Sequence, residues 1–391
     1  MKYSFDEIID RKNTSCIKWD YTKEFLGEAD LLPMWVADMD FKTPEFIVGA
    51  IRQRAEHEIY GYSMRPQSYY QSIVDWVRNR HNWSIEKEWI QFTPGIVPAI
   101  NLAVLAFTQT GDEIIVQPPA YFPFFTAVTD HRRKLVYNQL RLESGKYLMD
   151  FNDLKKKITS QTKMIIISNP HNPVGRAWTT DELTEMAEIC LHNKILILSD
   201  EIHGDLVLKP NRHTILADLS SDIANHTITM IAPSKTFNLA GMSTSTVIIS
   251  NPEHRKTFKS MLDSFHLGLG NIFGAVASEA AYTYGHDWLD QMLEYVKGNV
   301  AYVEEFLKSH LPQVKMITPE ATYMIWLDFN LLNLSRERLN HLVLRQAKVG
   351  LNDGAVFGPG GEGFQRMNLA CPRSYIEKAL LQLKTSIEGL Q

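Results

Sequence analysis

Cysteine is scarce in this chain of 391 residues, which has only Cys16, Cys190 and Cys371. The three are odd in number and far apart, so the sequence favours neither a disulfide framework nor a zinc site, and we expect no metal. No run approaches the roughly 18 apolar residues of a membrane span. The first ten residues include acids where a signal peptide needs a continuous apolar region. We therefore expect a cytoplasmic protein.

A strong excess of charge is also missing. Lys and Arg number 40 against 45 Asp and Glu, which gives a formal net charge of −5 without a basic tail. This balance predicts that neither nucleic acid nor an anionic membrane is a partner. The content of 45% hydrophobic and 22% charged residues is typical of a globular enzyme. An enzyme that acts on a small molecule is the class of function that remains.

Two nucleotide-binding motifs are incomplete. Asp200-Glu-Ile-His203 spells the D-E-x-H of helicases, but the G-x-x-x-x-G-K-S/T loop that would hold the phosphates is absent. The glycine-rich run over residues 268–274 is one residue too long for a dinucleotide fingerprint. His203 and Asp205 could be metal ligands, yet no cluster with metal-ligand spacing supports this alternative.

Apolar runs over residues 163–168, 194–199 and 227–232 alternate with helical patterns. This alternation predicts an α/β fold with a mainly parallel sheet that is covered on both faces. The length of the chain favours two domains. After about residue 251 the pattern becomes largely helical. We predict an N-terminal arm over 1–45 that joins the small domain, a large domain over 46–288 and a small α+β domain over 289–391.

Polar residues follow each of these runs within one to four positions: Asn172, Asp200 and Lys235. Ligands of parallel sheets bind at the carboxyl ends of the strands, so we expect the three in one site. Burial would lower the pKa of Lys235 from its usual value of about 10.4, as suits an amine that forms a Schiff base. On this stretch alone, a loop lysine that reaches solvent is an equal alternative.

Two further features suit a flat, phosphorylated ligand. Gly95 precedes an apolar helix over residues 96–107, and free N–H groups at Gly95, Ile96 and Val97 would form a phosphate site. Tyr121 follows a short strand in a proline-rich loop, where its ring could stack on a ligand or pack in the core. Pyridoxal phosphate needs a lysine for its aldehyde, a carboxylate for its ring nitrogen, an anion site and an aromatic ring.

Several motifs in order carry a resemblance that spans nearly the whole chain. They are Pro33-Met-Trp-Val-Ala-Asp-Met-Asp-Phe41, Tyr60-Gly-Tyr62, Tyr121-Phe-Pro-Phe124, His171-Asn-Pro-Val-Gly175, Ser199-Asp-Glu-Ile-His203, Ser234-Lys-Thr-Phe-Asn-Leu-Ala-Gly241 and Arg366-Met-Asn-Leu-Ala-Cys-Pro-Arg373. With them the chain resembles the fold-type I pyridoxal-phosphate enzymes, the aminotransferase class I/II group. Within that group it is most similar to the MalY/PatB-type cystathionine β-lyases, also called C-S lyases.

The resemblance implies a role for each residue of the cofactor site. Lys235 would form the Schiff base, Asp200 would pair with the pyridine nitrogen, and Asn172 would bond the phenolic oxygen. Tyr121 would stack on the ring, and with Lys235 and Asp200 it would make up the catalytic set. His203 lies where many relatives have a tyrosine near the phenolic oxygen.

The phosphate would be held by backbone groups at Gly95, Ile96 and Val97 and by the Ser234 hydroxyl. Tyr62 would reach the same phosphate from the neighbouring subunit of a homodimer. This arrangement, too, is implied by the resemblance.

Arg366 would clamp the α-carboxylate of an amino-acid substrate, because a guanidinium fork matches a carboxylate. Asn172, Tyr121 and Ala37 would also contact the substrate. Many aminotransferases carry an arginine eight residues after the Schiff-base lysine, and here that position is Ser243. This departure is shared with the β-lyase branch and so favours the narrower likeness.

The implied reaction is β-elimination of cystathionine and related cysteine thioethers to a thiol such as homocysteine, pyruvate and ammonia. Two alternatives stay open. An aminotransferase of the same fold would use the same residues, and a regulatory protein could keep the fold without turnover.

Overall fold

A computed structural model describes residues 2–390. Its strands are β1 Leu32–Pro33, β2 Ile90–Thr93, β3 Glu113–Val116, β4 Lys134–Tyr137, β5 Arg141–Glu143, β6 Lys146–Leu148, β7 Thr162–Ser168, β8 Leu196–Asp200, β9 Thr227–Ile231, β10 Ser245–Ile248, β11 Lys315–Ile317, β12 Met324–Asp328, β13 Val349–Gly350, β14 Asn352–Asp353 and β15 Phe364–Asn368.

The α-helices are α1 Ile17–Asp20, α2 Thr22–Leu26, α3 Glu45–Glu56, α4 Gln67–His81, α5 Ile96–Phe107, α6 Pro123–Thr129, α7 Phe151–Lys157, α8 Thr180–His192, α9 Ser221–Asn225, α10 Pro233–Thr236, α11 Pro252–Ser264, α12 Ile272–Tyr284, α13 His286–His310, α14 Arg336–Asn340 and α15 Arg373–Glu388. A π-helical turn, His341–Gln346, follows α14. No helix within residues 2–390 has both the length and the apolar character needed to cross a bilayer.

The main sheet has seven strands in the order β2-β10-β9-β8-β7-β3-β4. The neighbours from β9 to β4 are parallel, whereas β10 pairs antiparallel with both β9 and β2. The predicted α/β fold with a mainly parallel sheet is therefore confirmed. The sheet order puts β8 between β7 and β9, so the residues that follow these three strands meet at one edge.

The continuous apolar runs arise because both faces of the sheet are buried. Met164 and Ile166 of β7 pack in one core with α5, α6 and α11. Ile165 and Ile167 of the same strand pack in a second core with α7 and α8. Successive side chains of a strand point to opposite faces, so every position of such a strand must be apolar.

The N-terminal arm lies on the C-terminal part of the chain. There β1 pairs parallel with β13, and the Met34 N–H donates to the Gly350 carbonyl at 2.8 Å. A four-stranded antiparallel sheet, β11-β12-β15-β14, lies beside it, and the Asn368 N–H donates to the Met34 carbonyl at 2.8 Å. The predicted boundary at residue 288 falls within the first turn of α13. The division into domains stays a prediction.

Within the region that is predicted to be largely helical after about residue 251, one long stretch is divided into two helices. Residues 274–310 carry a continuous helical pattern, but α12 ends at Tyr284 and α13 begins at His286. A Cβ atom at Gly285 would collide with the Phe237 ring and with the Ala281 carbonyl. Glycine thus allows the two helices to join closely above Phe237.

Candidate functional site

The carboxyl edge of the main sheet borders a cavity of about 550 Å³. Asn172 lies in the turn after β7, Asp200 is the last residue of β8, and Lys235 lies in α10 directly after β9. All three line the cavity. Its volume is within the range of roughly 300–1,000 Å³ that is usual for small-ligand sites.

The structure brings together all but one of the predicted site residues. Those that line the cavity are Ala37, Gly95, Ile96, Val97, Tyr121, Asn172, Asp200, His203, Ser234, Lys235 and Arg366. The exception is Tyr62, whose side chain is 99% exposed on the segment between α3 and α4. Within its own chain Tyr62 borders a different hollow, together with Arg65 and Leu269.

Lys235 is held by the N-terminal arm. Its Nζ donates a hydrogen bond to the Ala37 carbonyl at 2.6 Å. Burial lowers the pKa of Lys235 to about 8; the nearby Asp38 carboxylate opposes this shift and the positive charge of Arg366 adds to it. Pro233 ends β9 and opens the single turn of α10, because proline cannot continue a strand but suits the first turn of a helix. The amine is therefore partly neutral at physiological pH.

Asp200 is a buried carboxyl group at the end of β8. Its Oδ1 accepts a hydrogen bond from the Ile202 N–H at 3.1 Å. Burial raises the pKa of Asp200 to about 7, although that bond and the charge of Lys235 act in the opposite direction. A cation bound opposite this carboxyl would lower its pKa again. Asp200 is thus suited to pair with a cationic ring nitrogen.

His203 is buried and neutral. Burial lowers the pKa of its imidazole to about 3, and the positive charges of Lys235 and Arg366 lower it further. Its Nδ1 has no hydrogen-bond partner within residues 2–390. Because a buried polar atom normally has a partner, this nitrogen is available to a bound ligand.

Arg366 is a buried cation on β15 whose partners are neutral. Its Nη1 donates to Asn172 Oδ1 at 3.0 Å, and its Nη2 donates to Asn352 Oδ1 at 2.7 Å and to the Trp35 carbonyl at 3.1 Å. Nε has no partner in the described chain. Burial lowers the pKa of Arg366 to about 10, so the group stays charged at neutral pH. A buried charge without a counter-ion favours an anionic ligand.

The start of α5 forms the opposite wall. Gly95 has a φ of 146°, which side chains rarely allow, and it precedes the first helical residue, Ile96. The first N–H groups of a helix have no partner within the helix, so Ile96 and Val97 offer donors to an anion. The hydroxyl residues Ser234 and Thr244 line the same region.

Tyr121 contributes an aromatic ring next to this wall. Its ring centroid lies 5.4 Å from that of Phe122 and 5.9 Å from that of Phe124. Burial raises the pKa of the Tyr121 phenol, with a smaller contribution from the Asp200 carboxylate, so the group stays protonated. The ring is partly buried and borders the cavity, where it can contact a planar ligand.

A half-buried acid that no motif marks holds the helix of Lys235 in place. Asp205 Oδ1 accepts a hydrogen bond from Trp76 Nε1 at 3.0 Å and lies 2.8 Å from His81 Nε2, and Oδ2 accepts a hydrogen bond from Thr236 Oγ1 at 2.8 Å. These partners lie on separate segments, so no spacing in the sequence could reveal them. Asp205 is thus a structural anchor, and no group of three or more metal-ligand side chains occurs among residues 2–390.

Trp35 and Asn352 were likewise missed. Both bind Arg366, one through its backbone carbonyl and the other through its side-chain amide. A backbone contact leaves no mark on the residue type, and Asn352 comes from a two-residue strand that has no periodic pattern.

Comparisons with known proteins agree with this geometry. The family model described as aminotransferase class I and II matches residues 29–383. Cystathionine beta-lyase PatB of Bacillus subtilis is 42% identical over 98% of this chain and 100% of its own. A PLP-bound putative aminotransferase of Clostridium difficile has a TM-score of 0.97 at 43% identity, covering 99% of this chain and 100% of the other.

A PLP-bound C-S lyase of Staphylococcus hominis has a TM-score of 0.93 at 34% identity, covering 99% of this chain and 98% of the other. The relatives at this level of identity span the full length of the chain and share its fold. The chain belongs to the aminotransferase class I and II family.

Proposed function

We propose that this protein is a pyridoxal-phosphate-dependent carbon–sulfur β-lyase. It cleaves cystathionine and related cysteine thioethers to a thiol, pyruvate and ammonia. The observation that carries the proposal is the meeting of Lys235, Asp200 and Arg366 in one cavity. The names of PatB and of the Staphylococcus hominis C-S lyase support the choice of reaction.

The residues present fit pyridoxal phosphate. Lys235 would hold the aldehyde carbon, Asp200 would pair with the ring nitrogen, and Asn172 would bond the phenolic oxygen. Tyr121 would contact the ring. The unpartnered His203 Nδ1 lies among these groups and could accept or donate one further hydrogen bond.

The phosphate would be held at the start of α5 and by hydroxyl groups. Gly95, Ile96 and Val97 offer backbone donors, and Ser234 and Thr244 offer hydroxyls. The backbone at Gly95 needs glycine because of its positive φ. Arginine is not needed there, which agrees with Ser243 at the position where many aminotransferases have one.

When bound, pyridoxal phosphate supplies a sink for the electron pair that remains when a proton leaves the substrate Cα. Arg366 binds the substrate α-carboxylate and so fixes the orientation of Cα. Once the substrate amine has replaced it on the aldehyde carbon, Lys235 would accept the Cα proton at Nζ, for which a pKa near 8 is well matched. The Cβ–S bond would break with both electrons going to sulfur, and the thiolate that leaves would take up a proton to give the thiol. Addition of water to the remaining fragment gives pyruvate and ammonia.

The main alternative is an aminotransferase, which the name of the Clostridium difficile protein represents. Both reactions begin with loss of the Cα proton, and they differ in whether Cβ–S cleavage follows. PatB, named a cystathionine beta-lyase, matches over its full length. Ser243 in place of an arginine also favours the lyase. A regulatory protein without turnover would not need Lys235, Asp200 and Arg366 together.

We also propose a cytoplasmic homodimer in which Tyr62 of one protomer binds the phosphate in the other. Tyr62 is 99% exposed and does not border the cavity of its own chain. Ile59 and Met64, on the same segment, are exposed large apolar side chains. Burying them against a second copy would be favourable.

The reaction can be tested without a keto acid. Purified holoenzyme incubated with cystathionine should release homocysteine and pyruvate in equal amounts. The Lys235→Ala variant should lose at least about 10³-fold in kcat, because both the covalent anchor and the proton acceptor are removed. Lys209→Ala, at an exposed position, serves as the control and should retain full activity. A strict need for a keto-acid acceptor would sink the lyase assignment.

The dimer proposal predicts a specific effect of one exposed phenol. Tyr62→Phe should raise the dissociation constant of pyridoxal phosphate by about tenfold, the value expected for a lost hydrogen bond to a charged group. Tyr60→Phe, two residues away, should leave it unchanged. A chain that sediments as a monomer at assay concentration, or a Tyr62→Phe variant with unaltered cofactor affinity, would refute the proposal.

The low pKa of Lys235 predicts how the rate of its chemical modification depends on pH. A pKa of about 8 leaves half of the amine neutral near pH 8, and only the neutral amine attacks a carbonyl. In cofactor-free protein, modification of Lys235 by formaldehyde and cyanoborohydride should speed up with pH and level off above about pH 9. Peptide mass spectrometry measures the rate. A rate that still climbs beyond about pH 10 is the behaviour of an ordinary lysine and would contradict the assignment.

A further inference from the structure

Three large apolar side chains stand exposed at the edge of the cavity. Ile17 is 53% exposed, Phe25 is 60% exposed and Phe122 is 46% exposed. All three line the same cavity as Lys235 and Arg366. We call these three residues the apolar lip. Clustered exposed apolar groups usually mark a surface that binds something.

Two of the three lip residues lie in helices that are too short to be stable alone. Ile17 opens the four-residue α1, and Phe25 lies in the five-residue α2. Isolated helices of this length do not form in water, so neighbouring contacts must hold them. The position of the lip therefore depends on what these helices bind.

A buried ion pair anchors α1. Lys18 Nζ lies 2.5 Å from Asp40 Oδ2, and both side chains are nearly inaccessible to solvent. Arg11 binds Asp40 at 2.7 Å and Asp38 at 2.6 Å, and Trp19 Nε1 donates to Asp40 Oδ1 at 2.9 Å. A buried ion pair contributes little net stability, but its geometry is specific. Because Ile17 directly precedes Lys18, this cluster fixes Ile17 at the cavity.

Trp35 links the lip to the carboxylate-binding arginine. Its indole Nε1 donates to the Lys18 carbonyl at 3.1 Å, and its ring centroid lies 5.5 Å from that of Phe25. Its own carbonyl accepts a hydrogen bond from Arg366 Nη2 at 3.1 Å. Trp35 thus contacts Arg366, Phe25 of the lip and the residue that follows Ile17, so we expect a substrate bound to Arg366 to lie near this part of the lip.

The proposed function already assigns the polar walls of the cavity. Arg366 takes the substrate α-carboxylate, while Lys235 and Asp200 act on the cofactor. The substituent on the sulfur atom is the part of a cysteine thioether that still lacks an assigned partner. The apolar lip is a part of the cavity lining that still lacks an assigned role.

We infer that the apolar lip binds the carbon chain on the substrate sulfur and so determines specificity. The inference rests on the proposed lyase function and names its substrate class as cysteine thioethers with apolar S-substituents. Burying such a substituent against Ile17, Phe25 and Phe122 removes apolar surface from water on both sides. The charged end of cystathionine can extend past the half-exposed lip into solvent, while its methylene groups contact the lip.

Two substrates that differ only in the sulfur substituent test this inference. We expect the benzyl group of S-benzyl-L-cysteine to reach the lip and the methyl group of S-methyl-L-cysteine to fall short of it. In the holoenzyme, Phe25→Ala should lower kcat/KM for the benzyl compound by about tenfold, a usual effect of a lost apolar contact in a pocket. The value for the methyl compound should be unchanged. Ile17→Ala should act in the same direction, and Phe25→Leu should restore most of the benzyl activity.

Leu331→Ala is the matched control, since Leu331 is an exposed apolar residue that does not border the cavity. It should leave both substrates unchanged. Equal losses for the two substrates in Phe25→Ala would overturn the inference, because they indicate a merely structural role. A Phe25→Ala protein whose sedimenting mass falls to that of a monomer would also overturn it, because the lip would then be a subunit contact.

Binding separates this inference from the proposed function. If the wild-type holoenzyme releases pyruvate neither from these two thioethers nor from cystathionine, the lyase assignment fails. Calorimetric dissociation constants for the same two compounds then show whether the lip binds the sulfur substituent. Weaker binding of the benzyl compound alone in Phe25→Ala supports it, and equal binding of that compound by wild type and variant overturns it.

Discussion

The Ala37 carbonyl is the point on which the site depends. It accepts a hydrogen bond from Lys235 Nζ at 2.6 Å and another from the Tyr323 hydroxyl at 3.0 Å. Lys235 follows a strand of the parallel sheet, whereas Tyr323 directly precedes β12 of the antiparallel sheet. The arm thus lies between the two sheets and fixes the amine relative to both. A shift of the arm would displace the base together with Ile17 and Phe25 of the lip.

Charge burial is the second constraint. Removing Lys235, Asp200 and Arg366 from water costs free energy, and the pKa of each shifts in the direction that favours its neutral form. The pKa falls to about 8 for Lys235, rises to about 7 for Asp200 and falls to about 10 for Arg366. Without a ligand these groups are only partly compensated by neutral partners. A cofactor with an aldehyde would react with Lys235, and its basic ring would pair with Asp200. The carboxylate of a substrate would supply the missing counter-ion of Arg366. The folded chain therefore favours binding of these molecules.

The local parts of the fold could be predicted from the sequence. The helix Ile96–Phe107 has the predicted limits, because short-range periodicity and the proline and glycine before α5 define them. Asn172, Asp200 and Lys235 could be grouped because strand ends of a parallel sheet share an edge. The predicted family is confirmed by the comparisons.

Contacts between distant segments could not be predicted. The hydrogen bond of Trp35 to Arg366 joins residues 331 positions apart and involves a backbone carbonyl. The role of Asp205 could not be predicted either, because only the fold shows its indole and hydroxyl donors. The break at Gly285 was missed, since the apolar pattern continues on both sides of it. The roles of the site residues, including Tyr62, and the domain limits stay predictions.

The most direct test is to determine which residue carries the cofactor covalently. Holoenzyme reduced with borohydride and digested should carry the pyridoxyl group on a single peptide, and fragmentation should place it on Lys235. The same treatment of Lys235→Ala should leave that peptide unlabelled. Labelling of a different lysine in the wild-type protein, or no covalent label at all, would contradict the central claim that the chain folds to present Lys235 to pyridoxal phosphate.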